Sequence, residues 1–399
     1  MPVRLRLPIA IVAALVVAEA AVVLMRPRDR IEPRDVAPRA YFSGAQIEKA
    51  HAFRSGQRWI YAGQLAIELG LLVLVVRRPP RGLARAHRRP VLAGAAAVAG
   101  LSVALTLATV PLGALAQARA RDVGLVTQGW GGYASDVAKG TAISALLAFG
   151  AGALGMAGMR RFGRGWWAPA SVVVVLFGVA ATYATPVVLD PLFNRFTPLP
   201  AGPTRSTVLS LAARAGVDVG QVYEMDASKR TTAANAYVTG IGRTKRVVLY
   251  DTLLKDFTPA EVELVVAHEL GHVRHRDVPH GLLYLAIVTP FALFAVARLG
   301  ERLGGEPGTV GALPGLVLAL ALLGTGVTTI SNQLSRAVEA RADAFSLELT
   351  HDPEPFIGFQ TRVAVRNVAE PSPPAAVQFL LGTHPTTMQR IGMAAGFTR

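Results

Sequence analysis

Seven apolar stretches dominate this chain, and any fold it adopts must keep them from water. They lie near Leu7–Met25, Trp59–Val76, Val91–Ala116, Gly140–Met159, Pro169–Leu189, Gly281–Gly300 and Val310–Ile330. Crossing about 30 Å of hydrocarbon takes roughly 20 helical residues, and each stretch meets or nearly meets that length. In lipid every backbone N–H and C=O needs an internal partner, so the stretches are expected as transmembrane helices. Only 17% of the residues are charged while 52% are hydrophobic, a balance suited to a bilayer rather than to a soluble globule. The first stretch follows two arginines, and it lacks a clean small-residue cleavage site. It is therefore expected as an anchor and not as a cleaved signal.

The excess of 41 Lys and Arg over 26 Asp and Glu does not point to nucleic acid. Many of the arginines cluster beside apolar runs, as in Arg77, Arg78, Arg81, Arg85, Arg88 and Arg89, where they suit anionic headgroups of the lipid bilayer. Absence of cysteine excludes disulfides, thiolate metal sites, thiol nucleophiles and cysteine lipidation. Gly150, Gly152, Gly155 and Gly158 predict close helix packing. Glu19 and Glu68 fall inside apolar spans, and the cost of a charge in hydrocarbon predicts that both face a bundle interior or a wet cavity.

Two polar stretches remain, and they set the expected organisation. Residues 1–189 form a membrane bundle of five spans, 190–280 a catalytic segment, 281–330 a two-span hairpin, and 331–399 a set of C-terminal catalytic helices. Within the first polar stretch a helix is expected over Arg205–Ala215, with strands at Gln221–Glu224, Ala234–Thr239 and Arg246–Tyr250. Gly240–Lys245 reads as a hairpin-like link between the last two strands. The next helix has a marked start: Thr258 as cap, Pro259 at the first helical position, and Glu261 to complete a capping box.

That helix carries His268-Glu269-Leu270-Gly271-His272, an HExxH pattern. Residues four apart stack on one helix face, about 6 Å apart along the axis. Two imidazoles so placed can hold one zinc ion, and Glu269 can serve as general base for the attacking water. A metzincin would need Gly at position 275 and His at 278; His275 and Val278 exclude it. A third ligand must then come from farther away. Glu339 and Asp343 follow the seventh stretch four residues apart, so one carboxylate can ligate while the other orients an imidazole. Two membrane crossings separate His272 from Glu339, and an even number returns the chain to the same face. The fold class expected is thus mainly α: a polytopic helical membrane bundle with a small α+β zincin-like catalytic segment. The competing reading is a non-proteolytic membrane scaffold or transporter with a structural zinc site; a structural site needs no base such as Glu269, and a scaffold predicts an eroded HExxH or a missing third carboxylate. Both are intact.

The chain resembles the type I CAAX prenyl proteases, membrane zinc metalloproteases related to the HtpX-type enzymes. The resemblance rests on Asp190-Pro191-Leu192-Phe193-Asn194, Phe196-Thr197-Pro198-Leu199, Ser228-Lys229-Arg230, Asn235-Ala236-Tyr237 and Arg246–Leu254. It continues through the HExxH, Ser335–Asp343, His384-Pro385 and Arg390-Ile391. It implies that Glu339 is the third zinc ligand and that Asp343 is its partner carboxylate, orienting a ligand imidazole. It also implies that Asn235, Ala236 and Tyr237 lie on an edge strand that pairs with substrate, and that His384 and Arg390 stabilise the developing oxyanion. An intramembrane chamber is implied by the resemblance alone. The expected substrate is a peptide or a membrane-protein segment. The Ala-, Arg- and Gly-rich composition hints at a prokaryotic source, where quality control or peptide processing is the expected task rather than cleavage of prenylated chains. The loops after the second and fourth spans, opposite the site, carry six and three Lys or Arg, which predicts a non-cytoplasmic active site, although the long first loop on the site's side carries eight; the family's eukaryotic members keep theirs in the cytosol.

Overall fold

The computed structural model describes residues 3–80, 89–240 and 245–397. Arg81, Arg85 and Arg88 of the basic cluster, and positions 241–244 of the expected link, lie outside them.

Seven described helices are long and apolar enough to cross a membrane. They are α1 (Val3–Met25), α2 (Gly44–Arg77), α3 (Pro90–Asp122), α4 (Trp130–Phe162), α5 (Trp167–Ala184), and two that follow the catalytic segment, Asp277–Gly304 and Leu313–Thr350. The helices α2, α3 and α4 far outrun the apolar stretches that announced them. The helix α2 has 34 residues, about 51 Å at 1.5 Å per residue, and its first turns leave the apolar zone to pack against the catalytic layer. There Ala50 and Phe53 are buried with Ala120 and Val368, and Arg58 pairs with the mostly buried Glu370 at 2.5 Å. Hydropathy reads only the part of a helix that meets lipid, so these polar extensions gave no signal.

Between the spans lies a four-stranded sheet of order β1-β2-β4-β3, with β1 (Phe196–Pro198), β2 (Gln221–Met225), β3 (Ala236–Thr239) and β4 (Arg246–Tyr250). The pair β2–β4 is parallel; β1–β2 and β3–β4 are antiparallel. Strand β1 was not expected, because three residues carry no readable alternation. The crossover from β2 to β4 leaves β3 at the sheet edge. Val247, Val248 and Leu249 on β4 are fully buried, since the central strand is covered on both faces. Helices α6 (Pro203–Arg214), α7 (Asp251–Asp256) and α8 (Pro259–Arg274) complete the segment. The face of α8 carrying Val262, Val266 and Leu270 packs against Val222, Val247 and Leu249. Each such side chain contributes roughly 1.5–3 kcal/mol by leaving water. The capping box forms: Glu261 N–H donates to Thr258 Oγ1 at 3.3 Å, and Thr258 N–H to Glu261 Oε2 at 2.8 Å.

The chain returns through α9 (Asp277–Gly304) and α10 (Leu313–Thr350), then closes with α11 (Pro353–Arg366), α12 (Ala375–Leu381) and α13 (Thr387–Gly396). On the catalytic side Arg34 N–H donates to Gly392 O and Thr127 N–H to Arg230 O, both at 3.0 Å. At the other end Arg298 Nη2 donates to Arg164 O, also at 3.0 Å. Of the four glycines expected at a helix crossing, only Gly152 is at one: a Cβ there would come 3.0 Å from Ala95 Cα. A Cβ on Gly150, Gly155 or Gly158 would meet none of the described residues within 4 Å. A much tighter approach lies between α9 and α10, where a Cβ on Gly315 would stand 2.5 Å from the Gly304 backbone nitrogen.

Candidate active site

Helix α8 presents His268 and His272 toward the face of α10 that bears Glu339 and Asp343. Their side-chain atoms meet closely. The two imidazole Nε2 atoms are 3.2 Å apart. Glu339 Oε2 lies 3.2 Å from His268 Nε2, and its Oε1 lies 3.7 Å from His272 Nε2. All three ligand-type atoms fall within 4.8 Å of one another.

The opposite ring nitrogens explain what this cluster can hold. His268 Nδ1 sits 2.9 Å from Asp343 Oδ1, and His272 Nδ1 sits 2.8 Å from Asp277 Oδ2. A carboxylate accepts, so each Nδ1 carries a proton, and in the neutral ring each Nε2 then presents a lone pair. Two lone pairs and a carboxylate then converge on one point. Glu339 Oε2 is buried and accepts no hydrogen bond of good geometry, although His268 and His384 nitrogens approach within 3.2 and 3.3 Å. Such a set of acceptors is self-repulsive alone and fits a single cation.

Both orienting carboxylates are themselves held by arginines. Asp343 is fully buried and receives Arg390 Nε at 2.8 Å together with Arg390 Nη2. Arg341 Nη2 donates to Asp277 Oδ1. Arg390 therefore commits two of its five N–H donors to Asp343, which leaves both on Nη1 and one on Nη2. Neither Asp277 nor Arg341 was singled out from the sequence.

A cavity of about 580 Å³ opens beside the cluster. Its walls include Asn235, His268, Glu269, Phe359, His384 and Arg390. Burial raises the Glu269 carboxyl, and the neighbouring imidazoles pull it down. Burial lowers His384, whose Nδ1 lies 2.9 Å from Thr383 Oγ1. Asn235 precedes β3 and lines the cavity. Ala236 is buried, and the Tyr237 hydroxyl turns away to donate to Asp190 at 3.3 Å. Burial, then the Asp190 charge, raises the Tyr237 phenol. Among the described residues no strand pairs with the outer edge of β3. His275 packs on Phe345, His280 Nδ1 lies 3.1 Å from His275 O, and His351 lies near Phe397; none of the three joins the cluster.

An integral multi-pass bundle that carries a convergent His-His-Glu set beside a peptide-sized cavity defines a membrane metalloprotease. Comparison with known proteins gives it a family: residues 198–396 match the model of peptidase family M48, and residues 59–195 match the CAAX prenyl protease N-terminal model of five membrane helices. The chain belongs to the M48 peptidases. It is 33% identical to the uncharacterized metalloprotease YhfN of Bacillus subtilis over 305 residues, which is 73% of this chain and 70% of that protein. Identity to the probable CAAX prenyl protease 1 of Schizosaccharomyces pombe is also 33%, over 48% of this chain and 42% of that one. The crystal structure of S. mikatae Ste24p shares the fold with a TM-score of 0.73 at 18% sequence identity, covering 99% of both chains.

Proposed function

We propose that this chain is a zinc endopeptidase that cleaves peptides or membrane-protein segments, with His268, His272 and Glu339 holding one zinc ion per chain. The observation that carries the reading is the convergence of two bare imidazole nitrogens and a carboxylate beside Glu269. Tetrahedral zinc with ligands at about 2.0–2.1 Å needs adjacent ligand atoms about 3.3 Å apart, and the cluster supplies 3.2 and 3.7 Å. Bound zinc supplies a Lewis acid that makes water acidic near neutral pH and polarises a carbonyl. Glu269 takes the proton of the attacking water and passes it to the leaving nitrogen. Asp343 keeps the His268 ring in its ligating tautomer. His384, which lines the cavity, donates to the oxygen that gains charge, and Arg390 adds an Nη1 donor while holding Asp343. A substrate chain pairs in extended form with the free edge at Asn235, Ala236 and Tyr237, where main-chain bonds tolerate varied sequence. Prenylated substrates are suggested by the names of the CAAX protease relatives. Their match to this chain covers under half of either protein's length for the fission-yeast example.

Removing the metal tests this reading. Chelation should abolish cleavage of a broad peptide library by the detergent-purified chain, and about one zinc per chain should restore it. A chain that cleaves equally well without metal would refute it.

The arginines Arg160, Arg161 and Arg164 and the basic loop between α2 and α3 favour a site on the non-cytoplasmic face by the positive-inside rule. A chain without cysteine permits a direct check. A single cysteine replacing Lys229, on the catalytic side, should react with a membrane-impermeant thiol reagent in intact cells, whereas one replacing Arg164 should not. The reverse pattern would put the site in the cytosol.

A further inference from the structure

The junction between α8 and α9 has a feature that the catalytic reading does not use. The helix α8 ends at Arg274, and Arg276 adopts φ 57° and ψ 42°, a left-handed conformation that an arginine rarely takes. Had the helix continued, residue 277 would stand about 140° around the axis from His272, since each residue turns about 100°. The left-handed step instead brings Asp277, the first residue of α9, under the His272 ring, with Oδ2 2.8 Å from Nδ1. Strain kept at such a place is characteristic of sites the surrounding structure over-determines. Asp277 is only 9% exposed, and its second oxygen accepts from Arg341 of α10, itself 15% exposed. Arg341 lies two residues beyond Glu339 on the same helix.

We infer that Asp277, turned by Arg276 and locked by Arg341, is the positioning residue of the second zinc imidazole. The inference rests on the proposed metal centre. Asp277 fixes the tautomer and orientation of His272, and Arg341 registers that carboxylate to the helix that supplies Glu339. The centre is thereby built symmetrically, each imidazole backed by a carboxylate and each carboxylate by an arginine. Asp343 with Arg390 serves His268, and Asp277 with Arg341 serves His272. An ion pair that merely fastens α9 to α10 would leave the metal indifferent to its loss.

The test compares zinc affinity, by chelator competition, with the thermal stability of the metal-free full-length chain in detergent. Asp277→Asn is expected to weaken zinc binding by about 10- to 100-fold. The double variant Asp277→Asn with Arg341→Met removes the stranded guanidinium, so metal-free stability should recover while zinc affinity stays low. An affinity in Asp277→Asn within about threefold of wild type would overturn the inference. So would a double variant that regains affinity along with stability. A wild-type chain that takes up no zinc would bring down the metal centre itself and this inference with it, a result distinct from both.

Discussion

Replacing Glu269 by Gln is expected to lower peptide cleavage by roughly 10²–10⁴-fold while zinc stays near one per chain. The side chains are isosteric, so the cavity wall and helix α8 should be undisturbed. Glu269 contributes no atom to the three-residue cluster, so loss of its charge leaves His268, His272 and Glu339 in place. What is lost is the proton acceptor. Burial holds the carboxyl above its ordinary value while the two imidazoles offset this, a setting suited to a group that must both take and release a proton. Parallel measurement of metal content and single-turnover cleavage separates the outcomes. Cleavage within tenfold of wild type would remove Glu269 from the role of base. Zinc lost together with activity would mean that the residue supports the metal instead.

The largest effect on stability is expected at Arg390. Asp343 has no solvent exposure, and Arg390 is its charge partner through two donors. Truncation to Met would leave a buried carboxylate facing only the His268 ring, at a cost of about 3–5 kcal/mol. Lysine should rescue little, because a single ammonium cannot reproduce the two-pronged contact. Denaturant unfolding of the detergent-solubilised variant reads this directly. A loss below about 1 kcal/mol would show that Asp343 is compensated elsewhere. Since α13 carries Arg390 and also buries Ile391 and Met393, the variant should loosen the C-terminal helix before the membrane bundle.

Local periodicity made part of this architecture legible. Apolar length marked seven spans, the Thr258–Glu261 box marked where α8 begins, and a spacing of four put His268 and His272 on one face. The same spacing linked Glu339 to Asp343, and the count of crossings placed them on the side of His268. Each of those inferences uses residues related by the helix repeat or by the obligation of an apolar helix to cross lipid, and both rules act within a segment. Tertiary structure alone decided the rest. Whether Gly152 or Gly315 sits at a close crossing depends on which helix lies opposite. Arg390 reaches Asp343 only because α13 folds back onto α10. Asp277 reaches His272 only through the left-handed turn at Arg276, which breaks the period any sequence pattern would follow. The chain's own repeat thus determined the spans and the two imidazoles, while contacts between distant segments, which no repeat encodes, decided what orients them.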